Sequence, residues 1–393
     1  MLEAGRTSHR YEALDGLRGL CAICVCLFHF RANGPIALAD FVRGSWLFVD
    51  FFFVLSGFVI AASYRARLIG GGYLGSFAIL RLGRVYPLHL VMLAAFVLIE
   101  IVGLMLASKG LMKRQSFDDH HSLAAIVTNL SLTHAFGLHD ALTWNQPSWS
   151  IAVEFWTYLL FALAARAAGE TLERWLLVAV IVCVAVLAVA TPWGVNVSSS
   201  WSLFRCVYGF AVGALAWKWR QGRGIAPSPG SGMATVLEIA TVVLVMAFVA
   251  QLSATRFNLA SPLVFGGAVL VFASEGGAVS RLLISAPLRR LGVLSYSIYM
   301  VHTFVQSRMD DALRLLARAT GIVLVSAEKP GLSRGLHDLL GATPLQGVVL
   351  TGVMLVLVIG VASLTWRWIE VPGQALSRQL ARRSAAAQVA PPA

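Results

Sequence analysis

The chain has 393 residues, of which 58% are hydrophobic and only 13% are charged, with a mean hydropathy of +0.75. A soluble domain cannot bury that much apolar surface, and apolar runs of roughly 20 residues, the length that crosses a bilayer, recur along the chain. The net charge of +12 does not indicate nucleic-acid binding, because the basic residues flank apolar runs as they do around membrane helices. The sequence therefore predicts an all-α polytopic integral membrane protein.

We predict about ten transmembrane helices, in chain order near 14–33, 47–64, 85–107, 149–168, 174–191, 201–219, 234–253, 258–275, 292–309 and 346–368. Most of the 31 Lys and Arg residues fall on one side of this arrangement, and the short loops favour that side as cytoplasmic. We therefore expect both termini in the cytoplasm. Residues 1–375 are predicted to form one transmembrane domain, and 376–393 a disordered cytoplasmic tail, because that end is a run of small residues.

The first predicted helix, "LDGLRGLCAICVCLFHF", carries an arginine and a histidine, and ionisable groups inside a membrane segment are functional candidates. Eleven residues separate Arg18 from His29, which is about 1100° or three helical turns, so both side chains lie on one face about 16 Å apart along the axis. Arg18 alone also fits a snorkelling anchor, and His29 fits a histidine used in helix packing. A buried imidazole is also the usual general base near neutral pH.

The second and third predicted helices enclose a basic cluster in "YRARLIGGGYLGSFAILRLGRVYPLHL". Arg65, Arg67, Arg81 and Arg84 have no acidic residue near them in sequence, and Arg81 and Arg84 lie three residues apart on one helix face. Paired guanidinium groups suit phosphate oxygens. Positive-inside topology with lipid headgroup contacts explains the cluster equally well.

Two later segments add polar side chains to apolar runs. In "NQPSWSIAVEFWTYLLF", Ser150 lies at the outer mouth of the fourth helix and Glu154 one turn further inside, where a carboxylate can orient a histidine or bind a sugar hydroxyl. In "LSYSIYMVH", Tyr299 and His302 share a helix face, although interfacial aromatic anchoring is the plainer explanation. Arg205 has no partner nearby in sequence and must pair with another helix. The spacing of the loop histidines matches no metal site, so no metal is predicted.

Five stretches, in this order, resemble motifs of the membrane-bound acyltransferase-3 family, bacterial O-acyltransferases of surface sugars, antibiotics and related acceptors. They are the Arg18-x10-His29 helix, "FVDFFFVLSGFVI", "RLGRVYPLHL", "PSWSIAVEFWTYLL" and "LGVLSYSIYMVH", and the match runs from about residue 10 to 372. One departure is Tyr208, where family members often have an acidic residue. Some members also carry an esterase-like domain after the membrane domain, and we expect none here.

The resemblance implies transfer of a small acyl group, acetyl being the commonest, from acyl-CoA to a hydroxyl of a carbohydrate or other envelope or small-molecule acceptor. It further implies a multi-pass protein of the bacterial inner membrane that contacts lipid. The site that it implies has three parts. Its catalytic residues are His29, Arg18 and Glu154. Its acyl-CoA-binding residues are Arg81, Arg84 and Arg65. Its substrate-binding residues are Asp50, Ser56, Ser150, Tyr299 and His302.

Two other classes of protein fit part of the sequence. A secondary transporter also has scattered intramembrane charges, but it commonly has an internal repeat with paired broken helices, and we find no such repeat. A non-catalytic scaffold or sensor has no reason to carry so many polar groups inside its spans.

Overall fold

The computed structural model describes residues 10–71, 73–110, 117–222, 230–326 and 339–389, and these fold almost entirely into helices. The helices are α1 (Glu12–His29), α2 (Pro35–Leu38), α3 (Asp40–Gly44), α4 (Phe48–Ile69), α5 (Leu74–Ser108), α6 (Leu123–Leu130), α7 (Ser148–Ala168), α8 (Leu172–Ala190), α9 (Ser202–Gly222), α10 (Gly232–Leu252), α11 (Ser261–Phe272), α12 (Ala278–Leu283), α13 (Ala286–Thr320), α14 (Pro344–Thr365) and α15 (Val371–Val389). Short 3₁₀ turns cover Ser45–Leu47, Asp119–His121, Gly169–Thr171 and Arg256–Ala260, and a π-helical turn covers Trp366–Glu370.

The helices have the length and surface of an all-α membrane protein. Each of the ten predicted segments overlaps a helix, and five helical stretches of the described chain are long and apolar enough to cross a bilayer. Large apolar side chains point outward from them, including Leu244 on α10 and Val356 on α14, which are 59% and 72% exposed. A water-soluble surface rarely carries such continuous apolar area, whereas a lipid-facing surface requires it.

Glycines allow the central helices to touch backbone to backbone. At Gly57 of α4, an added Cβ would overlap the carbonyl oxygen of Phe210 on α9, and at Gly292 of α13 it would overlap that of Asp15 on α1. Small residues at such crossings are typical of membrane helix packing, because van der Waals contact has to replace the hydrophobic effect there. These two contacts hold α4 against α9 and α1 against α13, the two most extensive pairings in the fold.

The end of the chain differs from the predicted disordered tail. Helix α15 continues through residue 389 and packs against α5, where the Ser76 hydroxyl donates to the carbonyl of Ala381 at 3.1 Å. Ser377 lies beside Gly83, which has room for no side chain of its own. Alanine is the best helix former, and the small residues that look like low complexity in sequence suit this close crossing. Residues 390–393 lie outside the described chain.

A short two-stranded sheet closes the opposite end of the bundle from α15. Strand β1 (Val325–Ser326) pairs antiparallel with β2 (Leu339–Leu340), with Val325 opposite Leu340. The backbone of Leu340 also exchanges hydrogen bonds with the segment after α1, donating to Arg31 at 2.9 Å and accepting from Asn33 at 2.8 Å. The C-terminal end of α1, which carries His29, is therefore tied to the segment that precedes α14.

Candidate functional site

Two cavities lie at different levels of the bundle, and α1 reaches both. We call the first the arginine cavity: its volume is about 450 Å³, and its lining includes Arg18, Arg81 and Arg84. We call the second the histidine cavity: its volume is about 920 Å³, and its lining includes His29. The eleven-residue spacing along α1 places Arg18 and His29 about 16 Å apart along the axis, in separate cavities.

The two cavities meet at a thin partition. Val49 of α4 and Tyr299 of α13 line both of them. The hydroxyl of Tyr299 is held by the hydroxyl of Ser150 on α7 at 2.8 Å, and the ring packs edge-on against Phe52. Ser150 and Tyr299, two of the predicted substrate-binding residues, therefore contact each other at the boundary between the two cavities.

Five arginines make the arginine cavity strongly basic. Two acidic groups, Asp15 and Glu154, line the cavity with them. Asp15 contacts two arginines, since its two carboxylate oxygens lie 2.8 Å from Arg10 and 3.2 Å from Arg18. The contact with Arg10 raises the pKa of that arginine through a hydrogen bond and charge attraction. The arginines that line the cavity are Arg10, Arg18, Arg81, Arg84 and Arg378.

Helix α13 fixes the position of Arg18. Its Nε donates to the hydroxyl of Ser295 at 2.8 Å, and its Nη2 donates to the carbonyl oxygen of Gly292 at 3.0 Å. These contacts cross the close pairing of α1 with α13, and they hold the guanidinium at the wall of the cavity. A snorkelling anchor extends toward the membrane surface and needs no such contacts, and the functional role of Arg18 stays a prediction.

Arg81 and Arg84 have unused hydrogen-bonding capacity. Arg81 Nη2 donates to the Tyr64 hydroxyl at 2.8 Å and the guanidinium lies over the Tyr64 ring, 4.8 Å from its centroid, while its buried Nε has no partner among the described residues. Arg84 makes no hydrogen bond or ion pair with a described residue. Arg81 Nε is itself buried, so the donors that line the cavity without a described protein partner are those of Arg84, and they point to an anionic ligand.

Glu154 belongs to the arginine cavity and not to the surroundings of His29. The Tyr158 hydroxyl donates to Glu154 Oε1 at 2.6 Å, and Ser56 contacts the same hydroxyl at 2.7 Å. The Tyr158 hydroxyl has one hydrogen, and that hydrogen is used in the bond to the carboxylate. The Ser56 hydroxyl is therefore the donor in its contact with Tyr158, and the three side chains form a continuous hydrogen-bonded series. Of the two roles predicted for Glu154, the contact with His29 is absent from the described structure, since α7 presents Glu154 to the other cavity, and the binding of an acceptor hydroxyl stays a prediction.

His29 instead meets a second histidine. His302 Nε2 lies 3.2 Å from His29 Nδ1, and the ring centroids are 4.9 Å apart. His29 Nδ1 also lies 2.9 Å from the Val25 carbonyl oxygen, and His302 Nδ1 lies 2.7 Å from that of Tyr299. His302 has no exposed surface and lines neither of these two cavities, so the substrate contact predicted for it stays a prediction without support from a cavity.

Two further predicted site residues are used inside the protein. Asp50 is fully buried and accepts two hydrogen bonds of 2.8 Å from Arg205, which identifies the helix partner that Arg205 requires. Arg65 is held by Glu173 at 2.8 Å and Glu170 at 3.3 Å, so the basic cluster does have acidic neighbours. Neither Asp50 nor Arg65 lines either of these two cavities, so the roles predicted for them in substrate and acyl-CoA binding stay predictions without support from the cavities.

Sequence reasoning missed three residues that line the arginine cavity. Tyr158 is four residues after Glu154, a spacing that places both on one helix face and was a usable signal. Tyr64 directly precedes Arg65 and stacks on Arg81 from the neighbouring helix. Arg378 belongs to the segment predicted to be disordered and therefore carried no signal.

Comparisons with known proteins agree with the family resemblance that the sequence motifs indicate. A family model described as "Acyltransferase domain" matches residues 11–368. Acyltransferase MdmB of Streptomyces mycarofaciens is 28% identical over 75% of this chain and 79% of its own length. Protein 2 in the picA locus of Rhizobium radiobacter is 31% identical over 47% of this chain and 96% of its own length. No solved structure matches the chain significantly. The chain therefore belongs to the acyltransferase-3 family and is a membrane acyltransferase.

Proposed function

We propose that this acyltransferase moves a small acyl group, acetyl in the simplest case, from acyl-CoA to a hydroxyl group of a carbohydrate or another envelope or small-molecule acceptor. One observation carries the proposal: a basic cavity and a histidine-bearing cavity meet at Tyr299 and Val49. An anionic donor and a hydroxyl acceptor can then enter from different sides and meet in the middle. A single open cleft would have offered no such division.

In this proposal ten helices span the bacterial inner membrane, with both termini in the cytoplasm. The distribution of Lys and Arg supports this orientation, and the helices that overlap all ten predicted segments support the number of spans. The N-terminal end of α1 then lies toward the cytoplasm with the arginine cavity, on the side where acyl-CoA is made. The C-terminal end of α1 and the histidine cavity lie toward the opposite side.

The donor is held in the arginine cavity by charge. Arg81 and Arg84, which both line the cavity, bind phosphate oxygens of CoA. Arg18, fixed to α13, lines the route of the acyl arm toward the partition. The thioester reaches His29 by passing between Val49 and Tyr299, and Ser150 positions the Tyr299 side chain during that passage.

The chemistry is general-base catalysis in the histidine cavity. The free imidazole nitrogen of His29 takes the proton of the acceptor hydroxyl, and the oxygen of that hydroxyl attacks the carbonyl carbon of the thioester. The carbon–sulfur bond then breaks, the ester forms, and the leaving CoA thiolate takes up the proton that His29 accepted, which restores the neutral imidazole. A positioned histidine of this kind contributes about 10²- to 10⁴-fold in rate.

The acceptor enters the larger cavity, whose lining suits a polyhydroxylated molecule. Amide and hydroxyl side chains line this cavity together with His29, including those of Gln146, Asn196, Ser198 and Thr303. Trp149 adds an aromatic surface. Charged side chains line the same cavity beside apolar ones, namely those of Arg31, Arg43, Arg205, Arg314 and Asp310.

The test uses membranes that contain the full protein, labelled acetyl-CoA and the cell-envelope fraction. We expect the R81A/R84A double variant to raise the KM for acetyl-CoA at least about tenfold, because each charge-assisted hydrogen bond is worth about 1.5–3 kcal/mol. R174A is the matched control, since Arg174 is an exposed arginine that lines neither cavity. H29A should lower the rate of transfer about 10²- to 10⁴-fold at unchanged expression.

The proposal fails if H29A transfers label at the normal rate, or if R81A/R84A and R174A behave alike. A secondary transporter is the competing class, and scattered intramembrane charges suit it as well. Purified protein that moves solute across liposomes without acyl-CoA, and that never transfers label, would support the transporter.

A further inference from the structure

The contact between His29 and His302 has a defined direction. His302 is completely buried, and its Nδ1 lies 2.7 Å from the carbonyl oxygen of Tyr299. A carbonyl oxygen only accepts hydrogen bonds, so His302 Nδ1 carries a hydrogen and its Nε2 is an acceptor in the neutral ring. That acceptor lies 3.2 Å from His29 Nδ1.

The same reasoning fixes the protonation of His29. Its Nδ1 lies between two acceptors, the carbonyl oxygen of Val25 at 2.9 Å and His302 Nε2 at 3.2 Å. The hydrogen of His29 therefore lies on Nδ1, and the lone pair lies on Nε2. His29 Nε2 has no hydrogen-bond partner among the described residues, and the side chain lines the histidine cavity.

We propose that His302 is a positioning residue that holds His29 in this one tautomer and ring orientation. The Val25 carbonyl alone is a weaker constraint, because in an α-helix the carbonyl of residue i−4 already accepts the backbone N–H of residue i. His302 Nε2 is a dedicated acceptor on a different helix, and it also fixes the plane of the ring. The inference rests on the proposed role of His29 as general base.

The arrangement resembles the division of labour in a Ser-His-Asp triad, where a third group fixes the tautomer of the imidazole and stabilises it once it is protonated. Here the third group is a neutral imidazole and not a carboxylate. When His29 Nε2 takes the hydroxyl proton, His29 Nδ1–H keeps its acceptors and no second proton has to move. A neutral acceptor also adds no charge to a site buried between helices.

Two substitutions at one position separate this role from simple packing. H302Q places a side-chain oxygen near the position of Nε2, so His29 keeps its acceptor. H302N keeps an amide near the position of Nδ1, where it can still donate to the backbone, but it removes the acceptor. At metal sites, removal of the residue that hydrogen-bonds a ligating imidazole lowers metal affinity or activity about 10- to 100-fold, and we expect a loss of activity of the same size here.

The first readout is acyl transfer by the full protein in membranes. We expect H302N to lower kcat about 10- to 100-fold with an unchanged KM for acetyl-CoA, and H302Q to restore most of the rate. Equal loss in both variants indicates packing and overturns the proposal. A raised KM indicates substrate contact and also overturns it, as does an unchanged rate in H302N.

The second readout does not depend on activity. Solid-state ¹⁵N NMR of histidine-labelled protein in lipid reports which nitrogen of His29 is protonated, and the H29N variant identifies the signal. We expect a single form with protonated Nδ1 in the natural protein and a mixture in H302N. An unchanged tautomer in H302N refutes the positioning role even if transfer is active. If no variant transfers label, the proposed function fails while the NMR result still decides the role of His302.

Discussion

The buried ion pair of Asp50 and Arg205 tests whether these charged residues contribute to the stability of the fold. The Asp50 side chain has no exposed surface and that of Arg205 is 2% exposed, and two N–H···O bonds of 2.8 Å join them. Arg205 also donates to the Val197 carbonyl at 3.0 Å, and its guanidinium lies 5.2 Å from the ring centroids of both Trp46 and Trp149. The guanidinium is therefore held by protein on several sides, although Arg205 also lines the histidine cavity.

Removing one partner leaves the other charged and buried without compensation. Such a loss costs about 3–5 kcal/mol, whereas replacing both partners with apolar residues of similar volume is often neutral. We therefore expect D50L and R205M each to lower the free energy of unfolding by about 3–5 kcal/mol, and the double variant to be more stable than either single one. Unfolding in mixed micelles titrated with SDS measures all four proteins.

A different result would refute this assignment. If D50L loses less than about 1 kcal/mol, the pair behaves as a solvent-exposed ion pair. If the costs of D50L and R205M simply add in the double variant, the two groups are not coupled. If D50L keeps its stability but raises the KM for an acceptor, Asp50 binds substrate as the sequence suggested.

Three further predictions use the same membranes and micelles. G57A should lower stability because a Cβ would overlap the Phe210 carbonyl, while G352A, with no atom within 4 Å of its Cβ, should not; equal unfolding curves contradict this. R65A should lower stability through loss of the Glu173 contact and leave the KM for acetyl-CoA unchanged, and a raised KM would return it to the donor site. Y158F removes the donor to Glu154 and should lower kcat about tenfold if that carboxylate takes part in transfer; a normal kcat argues against its role.

Features that depend on one helix were predictable from the sequence. The register of Arg18 and His29 follows from helical periodicity, and the structure gives each residue the cavity that this register implies. The positions of the helices follow from apolar runs of sufficient length. The family motifs indicated the class of enzyme, and the comparisons confirm it.

Features that depend on which helices touch were not predictable in the same way. His29 and His302 are separated by 273 residues, and Asp50 and Arg205 by 155. No local pattern states that α1 packs on α13 or α4 on α9, because that choice is made by close contacts at single glycines such as Gly57. A contact between Glu154 and His29 was therefore one of the predictions, although the described structure lacks it, since the helix face of Glu154 was known but its neighbour was not.

The helix at the chain end was missed for a different reason. Small residues such as those near Ser377 and Ala381 have the composition of a disordered tail, yet alanine also has the highest helix propensity. The decisive factor is a partner, because Gly83 of α5 leaves room for this helix to pack closely. Composition alone contains no information on that partner.

The central claim is that acyl-CoA and acceptor approach from opposite sides of the membrane into two different cavities. Val59, 38% exposed, lines the arginine cavity, and Ser198 lines the histidine cavity, so V59C and S198C place a thiol in each. A membrane-impermeant thiol reagent is applied to sealed vesicles of either orientation, with and without acetyl-CoA. We predict that V59C reacts only from the cytoplasmic side and is protected by acetyl-CoA, and that S198C reacts only from the opposite side without protection. Labelling of both thiols from one side, or protection of S198C in place of V59C, would contradict the account.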